Sequence, residues 1–395
     1  MKKSIPLYIL CVVLFVMLTG CWNRRELNTL AVVQALGIDR TENGQISITA
    51  QILRPSEVKE ASATEGGAVW VVTSTGDTVF DAIRNASLKT TRKLFFPHNK
   101  VIIIGEEAAR AGVIPLLDFL ERDPEIRRLS YIFIAHGKAK PILHGVHEQE
   151  NIPSHAIEGL VEATKSSSKL PKRNLKDFIG TLDIPTISSA VPGIILLDKK
   201  SNGKSIKAVA LDQTAIFKKD KLIGWFDGRE TRGLLWVLNE VKSGIIVINS
   251  PKEENKNVSL EIIHSTSKVK PEITDEKLTV TVEVKEEGNL AEQMSAVDLT
   301  QPDTFHELEI KQAAAIEEEI NATLTKAQAW GVDIFKFGKE FHHKFPREWS
   351  GLEENWEEEF KELEVNVEVV AQLRRVGITT TPAETEESEK KKGGK

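Results

Sequence analysis

Cysteine is nearly absent from this sequence of 395 residues, since only Cys11 and Cys21 occur. Two cysteines exclude a scaffold that is stabilised by several disulfides. The sequence also lacks a continuous apolar run of 18 residues, so we expect no transmembrane helix in the mature chain. It contains neither a glycine-rich phosphate-binding loop nor a zinc motif. Phosphoryl-transfer enzymes and zinc proteins of the common kinds are therefore disfavoured.

An excess of positive charge is missing as well. The 52 Lys and Arg residues are outnumbered by 58 Asp and Glu residues, which gives a formal charge of −6. Proteins that bind nucleic acid need a basic face to neutralise phosphates, so we expect no nucleic-acid partner. With 41% apolar and 28% charged residues, the composition is that of a globular protein. The length permits two or three domains.

The sequence offers few candidates for catalysis or metal binding. His342 and His343 are adjacent and would point to different sides of a helix, whereas His144 and His147 could share a helix face. A half-exposed helix face is the favoured interpretation of the first pair. Solvated polar residues are favoured for the second pair, with a weak metal site as the alternative. Four Ser-x-x-Lys patterns begin at Ser56, Ser166, Ser201 and Ser265, and chance explains them because none opens a predicted buried helix. We therefore predict that the protein is not an enzyme.

Carboxylates and aromatic residues crowd the stretch from 330 to 360. The glutamates around Trp356 predict a solvated helix face with partners such as Lys361. The aromatic residues lie at helical spacing and predict core packing, with a protein-binding patch as the alternative. They are Trp330, Phe335, Phe337, Phe341, Phe345, Trp349, Trp356 and Phe360.

Residues 1–20 have the pattern of an export signal. Lys2 and Lys3 precede an apolar run of about 14 residues from Ile5 to Leu18, which is short for a spanning helix. The run ends in Leu18-Thr19-Gly20-Cys21, which resembles the bacterial lipobox. The alternatives are a plain secretory signal followed by a chance cysteine, or an uncleaved N-terminal anchor.

The lipobox resemblance implies that Cys21 carries an S-diacylglyceryl group and, after cleavage, an N-acyl chain. Two or three acyl chains would hold the protein at a membrane, because a single chain binds only marginally. Loss of Lys2 and Lys3 with the leader would change the formal charge from −6 to −8. We therefore expect the lipid, rather than the charge of the whole body, to provide the membrane attachment.

Periodicity predicts an α+β fold of mixed α/β character, with two to three domains in which antiparallel hairpins and sheets pack on helices. Residues 21–200 form the predicted N-terminal region, which could divide near residue 140. Residues 205–376 form the predicted C-terminal domain, and residues 377–395 the predicted disordered tail. Alternating strands are expected at 258–269 and 277–284. The longest expected helix is 302–330, with Glu317 to Glu319 on its solvent face.

Several motifs together resemble the Ger(x)C family, the C subunits of nutrient germinant receptors in endospore-forming bacteria. The resemblance spans Cys21 to about Gly377, and Lys336 occupies a position where a glycine is expected. The matching segments are Cys21 to Leu27, Gly37 to Asp39, Phe96 to Ile104, Phe217 to Gly224, Glu230 to Gly233 and Asp333 to Gly338, with Pro346, Trp349 and Trp356.

This resemblance implies a lipid-anchored subunit without catalytic function, on the outer face of the spore's inner membrane. The implied partners are an integral A subunit and a permease-like B subunit, and the implied modification is the lipid on Cys21. No cofactor, metal or nutrient-contact residue follows from the resemblance. The alternatives are a substrate-binding lipoprotein of a transporter and an anchored hydrolase that acts on the cell wall.

Overall fold

The computed structural model describes residues 26–54, 68–145, 150–201 and 204–375. These residues form two β-sheets, of nine and four strands, with helices packed against both. The architecture is mixed α/β, as the sequence predicts. Within the described ranges, no helix combines the length and the apolar composition needed to cross a bilayer. The predicted domain boundaries near residues 140 and 200–205 stay predictions.

The larger sheet contains strands β1 to β9, whose spatial order is β3-β2-β1-β5-β6-β7-β8-β9, with β4 paired to β1 at one end. The strand bounds are β1 Leu30–Arg40, β2 Ile46–Leu53, β3 Val69–Gly76, β4 Lys93–Phe95, β5 Val101–Gly105, β6 Tyr131–Ala135, β7 Ala190–Ser201, β8 Lys204–Lys218 and β9 Lys221–Phe226.

The centre of this sheet is parallel and its edges are antiparallel. Strands β1, β5, β6 and β7 run in one direction, whereas β2, β3, β8 and β9 pair antiparallel with their neighbours. Every residue of β5 is buried, because helices cover both faces of the sheet there. An uninterrupted apolar strand is the sequence pattern that this environment requires.

Six α-helices of the described residues accompany the larger sheet. Their bounds are α1 Val79–Ala86, α2 Glu106–Ala111, α3 Ile114–Arg122, α4 Ala139–Leu143, α5 Pro153–Ala163 and α6 Leu175–Leu182. Asp77 and Thr78 both precede α1 and are residue types that can cap a helix. The cap is Thr78, whose Oγ1 accepts a hydrogen bond of 3.1 Å from the Asp81 N–H. The Asp77 carboxylate instead accepts a hydrogen bond from Gln45.

The smaller sheet has the order β10-β11-β12-β13, and five helices belong to this half of the chain. The strands are β10 Gly244–Asn249, β11 Asn257–Thr274, β12 Lys277–Gln293 and β13 Glu364–Arg375. The helices are α7 Gly228–Val237, α8 Pro302–Trp330, α9 Phe337–Lys344, α10 Pro346–Leu352 and α11 Trp356–Glu362. The predicted helix over 302–330 is confirmed residue for residue.

One glutamate of α8 is buried, although the helical periodicity of the sequence predicts that it is exposed to solvent. Glu317 and Glu318 are exposed as predicted, but Glu319 is only 5% exposed, so its prediction is wrong. The buried Arg232 of α7 explains the difference, since its guanidinium donates two hydrogen bonds to the Glu319 carboxylate. A buried carboxylate is stable where a cation and further donors satisfy it, and the Trp236 Nε1–H is a third donor, at 3.1 Å.

Gly233 allows α7 to approach α8 at this point. A Cβ atom at residue 233 would lie 2.2 Å from the Glu319 carbonyl oxygen, so only glycine fits between the two helices. The Thr323 hydroxyl donates a hydrogen bond of 2.7 Å to the Glu230 carbonyl at the same crossing. The Glu230 to Gly233 segment therefore stabilises the contact between the helices.

The aromatic residues between 330 and 360 lie mainly in the core, as predicted. Phe335, Phe337, Phe341, Trp349, Trp356 and Phe360 are each at most 3% exposed, and Trp330 and Phe345 pack partly buried against them. The predicted partner of the glutamate run is also confirmed. Lys361 lies 3.4 Å from Glu357 and 2.7 Å from Glu358.

Candidate functional site

The predicted lipidation residue, Cys21, lies outside the described residues. The described chain begins at Glu26, continues through a short 3-10 helix and enters β1 at Leu30. Leu30 pairs with Lys93 of β4. The N-terminal edge of the parallel strands is therefore the part of the fold nearest in sequence to Cys21.

The other candidate residues do not assemble into a metal centre within the described ranges. No group of three His, Cys, Asp or Glu residues with metal-binding geometry occurs there. His342 stacks on Trp349 with 6.0 Å between ring centroids. Ser265 donates a hydrogen bond of 3.0 Å to the Val241 carbonyl. His147 and Ser56 lie outside the described ranges, as do the side chains of the Ser201 pair.

A cleft lies between the larger sheet and the C-terminal half of the described chain. Its volume is about 740 Å³. Three segments line it: residues 164–191 with α6, residues 235–242 at the end of α7 and after it, and residues 334–339 before and within α9. Segments so distant in sequence meet because the Asp333 carbonyl accepts a hydrogen bond of 3.0 Å from the Ser188 N–H.

The floor of the cleft is apolar and its walls are basic. Aliphatic and aromatic side chains form the floor, among them Leu170, Phe178, Ile187, Val191, Leu235 and Ile334. Seven cationic residues line the cleft: Lys165, Lys172, Arg173, Lys176, Lys242, Lys336 and Lys339. The acidic lining residues are Asp177 and Glu240. A chain of formal charge −6 thus collects positive charge in one place.

Carboxylates pair with three of these cations. Arg173 contacts Glu240 at 2.8 Å, whereas Lys165 and Lys172 contact Glu162 at 2.5 and 2.6 Å. These contacts hold the pKa of the Glu162 carboxyl at about 2. The sequence indicates this segment only as a basic connector, and nothing local in the sequence shows that the C-terminal half lies opposite.

The family comparisons agree with the sequence motifs. A model described as "Spore germination protein N-terminal domain" matches residues 23–196, and one described as "Spore germination B3/ GerAC like, C-terminal" matches residues 212–377. Together they account for nearly all of the chain after Gly20. The chain belongs to the GerAC-like family of spore germination proteins.

Individual relatives match over almost their whole length. The chain is 28% identical to spore germination protein KC of Bacillus subtilis (strain 168) over 402 aligned positions, covering 97% of this chain and 98% of that protein. It is 27% identical to spore germination protein B3 of the same organism, covering 91% and 95%. The crystal structure of the GerBC protein matches with a TM-score of 0.56 at 22% identity, covering 86% and 96%. That last likeness shows the fold alone.

Two aspartates of the GerAC-like motifs stabilise the fold. The Asp39 carboxylate accepts hydrogen bonds from the Ala139 N–H at 2.7 Å and the Lys140 N–H at 2.9 Å, at the start of α4. Burial raises the pKa of the Asp39 carboxyl, and these two bonds oppose the shift. The buried Asp39 carboxylate therefore has two backbone hydrogen-bond donors as partners.

Asp333 has the corresponding role in the C-terminal half. It accepts hydrogen bonds from the Phe337 N–H at 3.0 Å, the Gly338 N–H at 2.8 Å and the Trp356 Nε1–H at 3.0 Å. Burial raises the pKa of the Asp333 carboxyl to about 6. These contacts connect the start of α9 to α11 and fix the segment that carries Lys336 into the cleft.

Lys336 has a left-handed backbone, with φ 66° and ψ 30°. This conformation costs an ordinary L-residue about 1–2 kcal/mol, and glycine adopts it without that cost. The glycine that the family resemblance leads us to expect at this position therefore suits the local turn. In this chain the strained position carries a half-buried lysine that lines the cleft.

Replacement of Lys336 with glycine should increase the free energy of unfolding by about 1 kcal/mol, since the relief of backbone strain exceeds the entropy that glycine adds to the unfolded chain. Urea unfolding measures the change. Lys219→Gly is the matched control for the backbone, because Lys219 also has a positive φ of 54° but is exposed in the β8–β9 turn. A loss of stability in Lys336→Gly alone would show that the lysine side chain stabilises the fold.

Proposed function

We propose that the protein is a lipid-anchored, non-catalytic C subunit of a spore nutrient germinant receptor. The observation that carries this proposal is the match of the two GerAC-like family models over residues 23–196 and 212–377. The lipobox ending at Cys21 supports the anchor, and the same resemblance implies a location on the outer face of the spore's inner membrane. The implied partners are an integral A subunit and a permease-like B subunit.

The buried carboxylates support a structural rather than a catalytic role. Asp39 and Asp333 accept backbone hydrogen bonds at helix starts, and Glu319 pairs with Arg232 inside the α7–α8 contact. A general acid or base needs a carboxyl group that can reach a substrate. These three groups use their acceptor capacity inside the protein, and none of them lines the cleft.

Co-purification from spore membranes tests the proposed partners. The full chain with a C-terminal affinity tag should recover a permease-like integral protein and a second integral protein from membranes in mild detergent. Mass spectrometry identifies both. The matched control is an unrelated lipoprotein that carries the same tag and is expressed at the same level.

Recovery of an ATP-driven transporter in place of these proteins would contradict the proposal and favour the substrate-binding lipoprotein. Recovery of no integral protein beyond the control level would contradict it as well.

A further inference from the structure

The cleft contains four lysines that form no close ion pair with the described residues, although Asp177 and Glu240 line the cleft as well. Lys176, Lys242, Lys336 and Lys339 line it, and no Asp or Glu oxygen of the described chain lies within 4.0 Å of their Nζ atoms. Three other lysines at the body's surface, Lys93, Lys252 and Lys277, do have such partners. Lysines without such a partner also occur elsewhere on the described surface, Lys219 among them, and what distinguishes these four is that they line one concave surface.

The position of Lys336 is energetically unfavourable for its positive charge. Burial and the charge of Arg173 both lower the pKa of the Lys336 amine, and the neighbouring Lys339 lowers it further, whereas Glu240 and Asp177 only partly oppose the shift. Cations held near one another in a partly desolvated space repel, and a bound anion removes that repulsion. An anionic ligand should therefore stabilise the folded chain as well as bind to it.

The floor restricts the kind of anion. Leu170 and Leu238 are half-buried and present apolar surface to the cleft, and Ile184 lies at its rim with 39% of its surface exposed. Inorganic anions gain nothing from apolar contact, whereas an organic anion can place its carbon skeleton on the floor and its charge against the lysines. Pockets that combine an apolar lining with a few convergent polar groups are typical small-molecule sites.

We propose that this cleft binds a small organic carboxylate whose apolar part lies on the floor and whose charged group contacts Lys336 and Lys242. Lys176 and Lys339 complete the positive rim. This site goes beyond the proposed function, because binding to the purified chain requires neither the lipid on Cys21 nor a partner subunit. The two proposals can therefore fail independently.

Equilibrium dialysis of the purified full chain in non-ionic detergent tests the site, with detergent alone as the blank. The probes are 2-naphthoate and its neutral analogue 2-naphthamide, which share a ring system and differ in charge. We expect saturable binding of the carboxylate at least about tenfold tighter than that of the amide, since a hydrogen bond to a charged group is worth about 1.5–3 kcal/mol. Inorganic phosphate should compete only weakly.

Substitutions locate the site. Lys336→Gln and Lys242→Gln should each weaken 2-naphthoate binding by about tenfold and leave 2-naphthamide binding unchanged. Lys219→Gln is the matched control, because Lys219 is an exposed lysine with the same left-handed backbone but lies outside the cleft. It should bind 2-naphthoate as the unmodified chain does.

Three results would overturn the proposal. The first is the absence of saturable 2-naphthoate binding. The second is equal affinity for the carboxylate and the amide, because the lysines would then contribute nothing. The third is an equal effect of Lys219→Gln and Lys336→Gln, because net charge rather than the cleft would then govern binding. A circular dichroism spectrum of each variant excludes loss of the fold as the cause.

Discussion

Replacement of Cys21 with alanine should move the chain from the membrane fraction to the aqueous fraction and abolish most of its contribution to germination. The predicted diacylglyceryl group is attached through this sulfur, and alanine cannot carry it. Each buried CH₂ of an acyl chain contributes about 0.8 kcal/mol, so two or three chains account for nearly all of the expected membrane affinity. The remaining body has a formal charge of −8 and no electrostatic attraction to an anionic bilayer.

Membrane fractionation with immunoblotting measures the first effect. The decrease in optical density of a spore suspension after nutrient addition measures the second. Cys11→Ala is the matched control, because Cys11 is the second cysteine of the chain and lies inside the predicted leader. It should leave both readouts unchanged.

Retention of the Cys21→Ala chain at the membrane has two meanings, which mass spectrometry of the purified chain separates. A mass that includes residues 1–20 would show that the uncleaved apolar leader holds the chain. The same Cys21→Ala chain, given a cleavable secretory leader in place of residues 1–20, should then be released. Retention of that processed variant, or an unmodified Cys21 thiol in the original chain, would contradict the anchor.

The sequence is sufficient to predict those helices and strands whose periodic pattern and end signals lie within the element itself. The helix Pro302–Trp330 has a proline in its first turn and ends at Gly331, which has a left-handed backbone with φ 63°. The strands β11 and β12 show alternation of buried and more exposed residues over much of their paired regions. Patterns of period 3.6 and 2 can be recognised without knowing what packs against them.

The features that local patterns miss depend on contacts between distant residues. Glu319 is expected to be solvent-exposed beside Glu317 and Glu318. Its burial is stable because Arg232, 87 positions away, and Trp236 donate hydrogen bonds to its carboxylate. The cleft is hidden for the same reason, because its lining segments approach one another only in the folded chain. The one local sign was the unexpected lysine at residue 336.

Glu286 is a second buried acid that sequence patterns do not reveal, and its surroundings differ from those of Glu319. It lies on the inward face of β12 in line with Val282 and Val284, and 1% of its surface is exposed. Neither carboxylate oxygen has a hydrogen bond of standard geometry, although the fully buried Gln312 side chain of α8 lies close enough to oppose part of the rise in the pKa of Glu286. Burial raises the pKa of the Glu286 carboxyl to about 8.

The raised pKa makes the folded state lose stability as the pH increases. The ordinary pKa of a glutamate carboxyl is 4.5, which applies to the unfolded chain, whereas the pKa of Glu286 in the folded chain is about 8. The folded state therefore holds a proton that the unfolded state releases between these two values. The stabilisation of the folded state by the protonated Glu286 carboxyl is complete below pH 4.5 and is lost progressively up to pH 8. A difference of this size corresponds to about 4–5 kcal/mol.

Replacement of Glu286 with glutamine should remove this dependence, because glutamine fills the same space and stays neutral at every pH. Urea unfolding should show similar free energies for both chains at pH 5 and a higher value for Glu286→Gln at pH 9, by about 4 kcal/mol. Glu287→Gln is the matched control, since that neighbour is paired with Arg374 at the surface, where the guanidinium lowers its pKa. If the free energy of unfolding changes with pH in the same way for Glu286→Gln and for the unmodified chain, the pKa of the Glu286 carboxyl is not raised in the folded state and this prediction is wrong. The difference between the two profiles isolates Glu286 from Asp39 and Asp333, because both chains retain those aspartates.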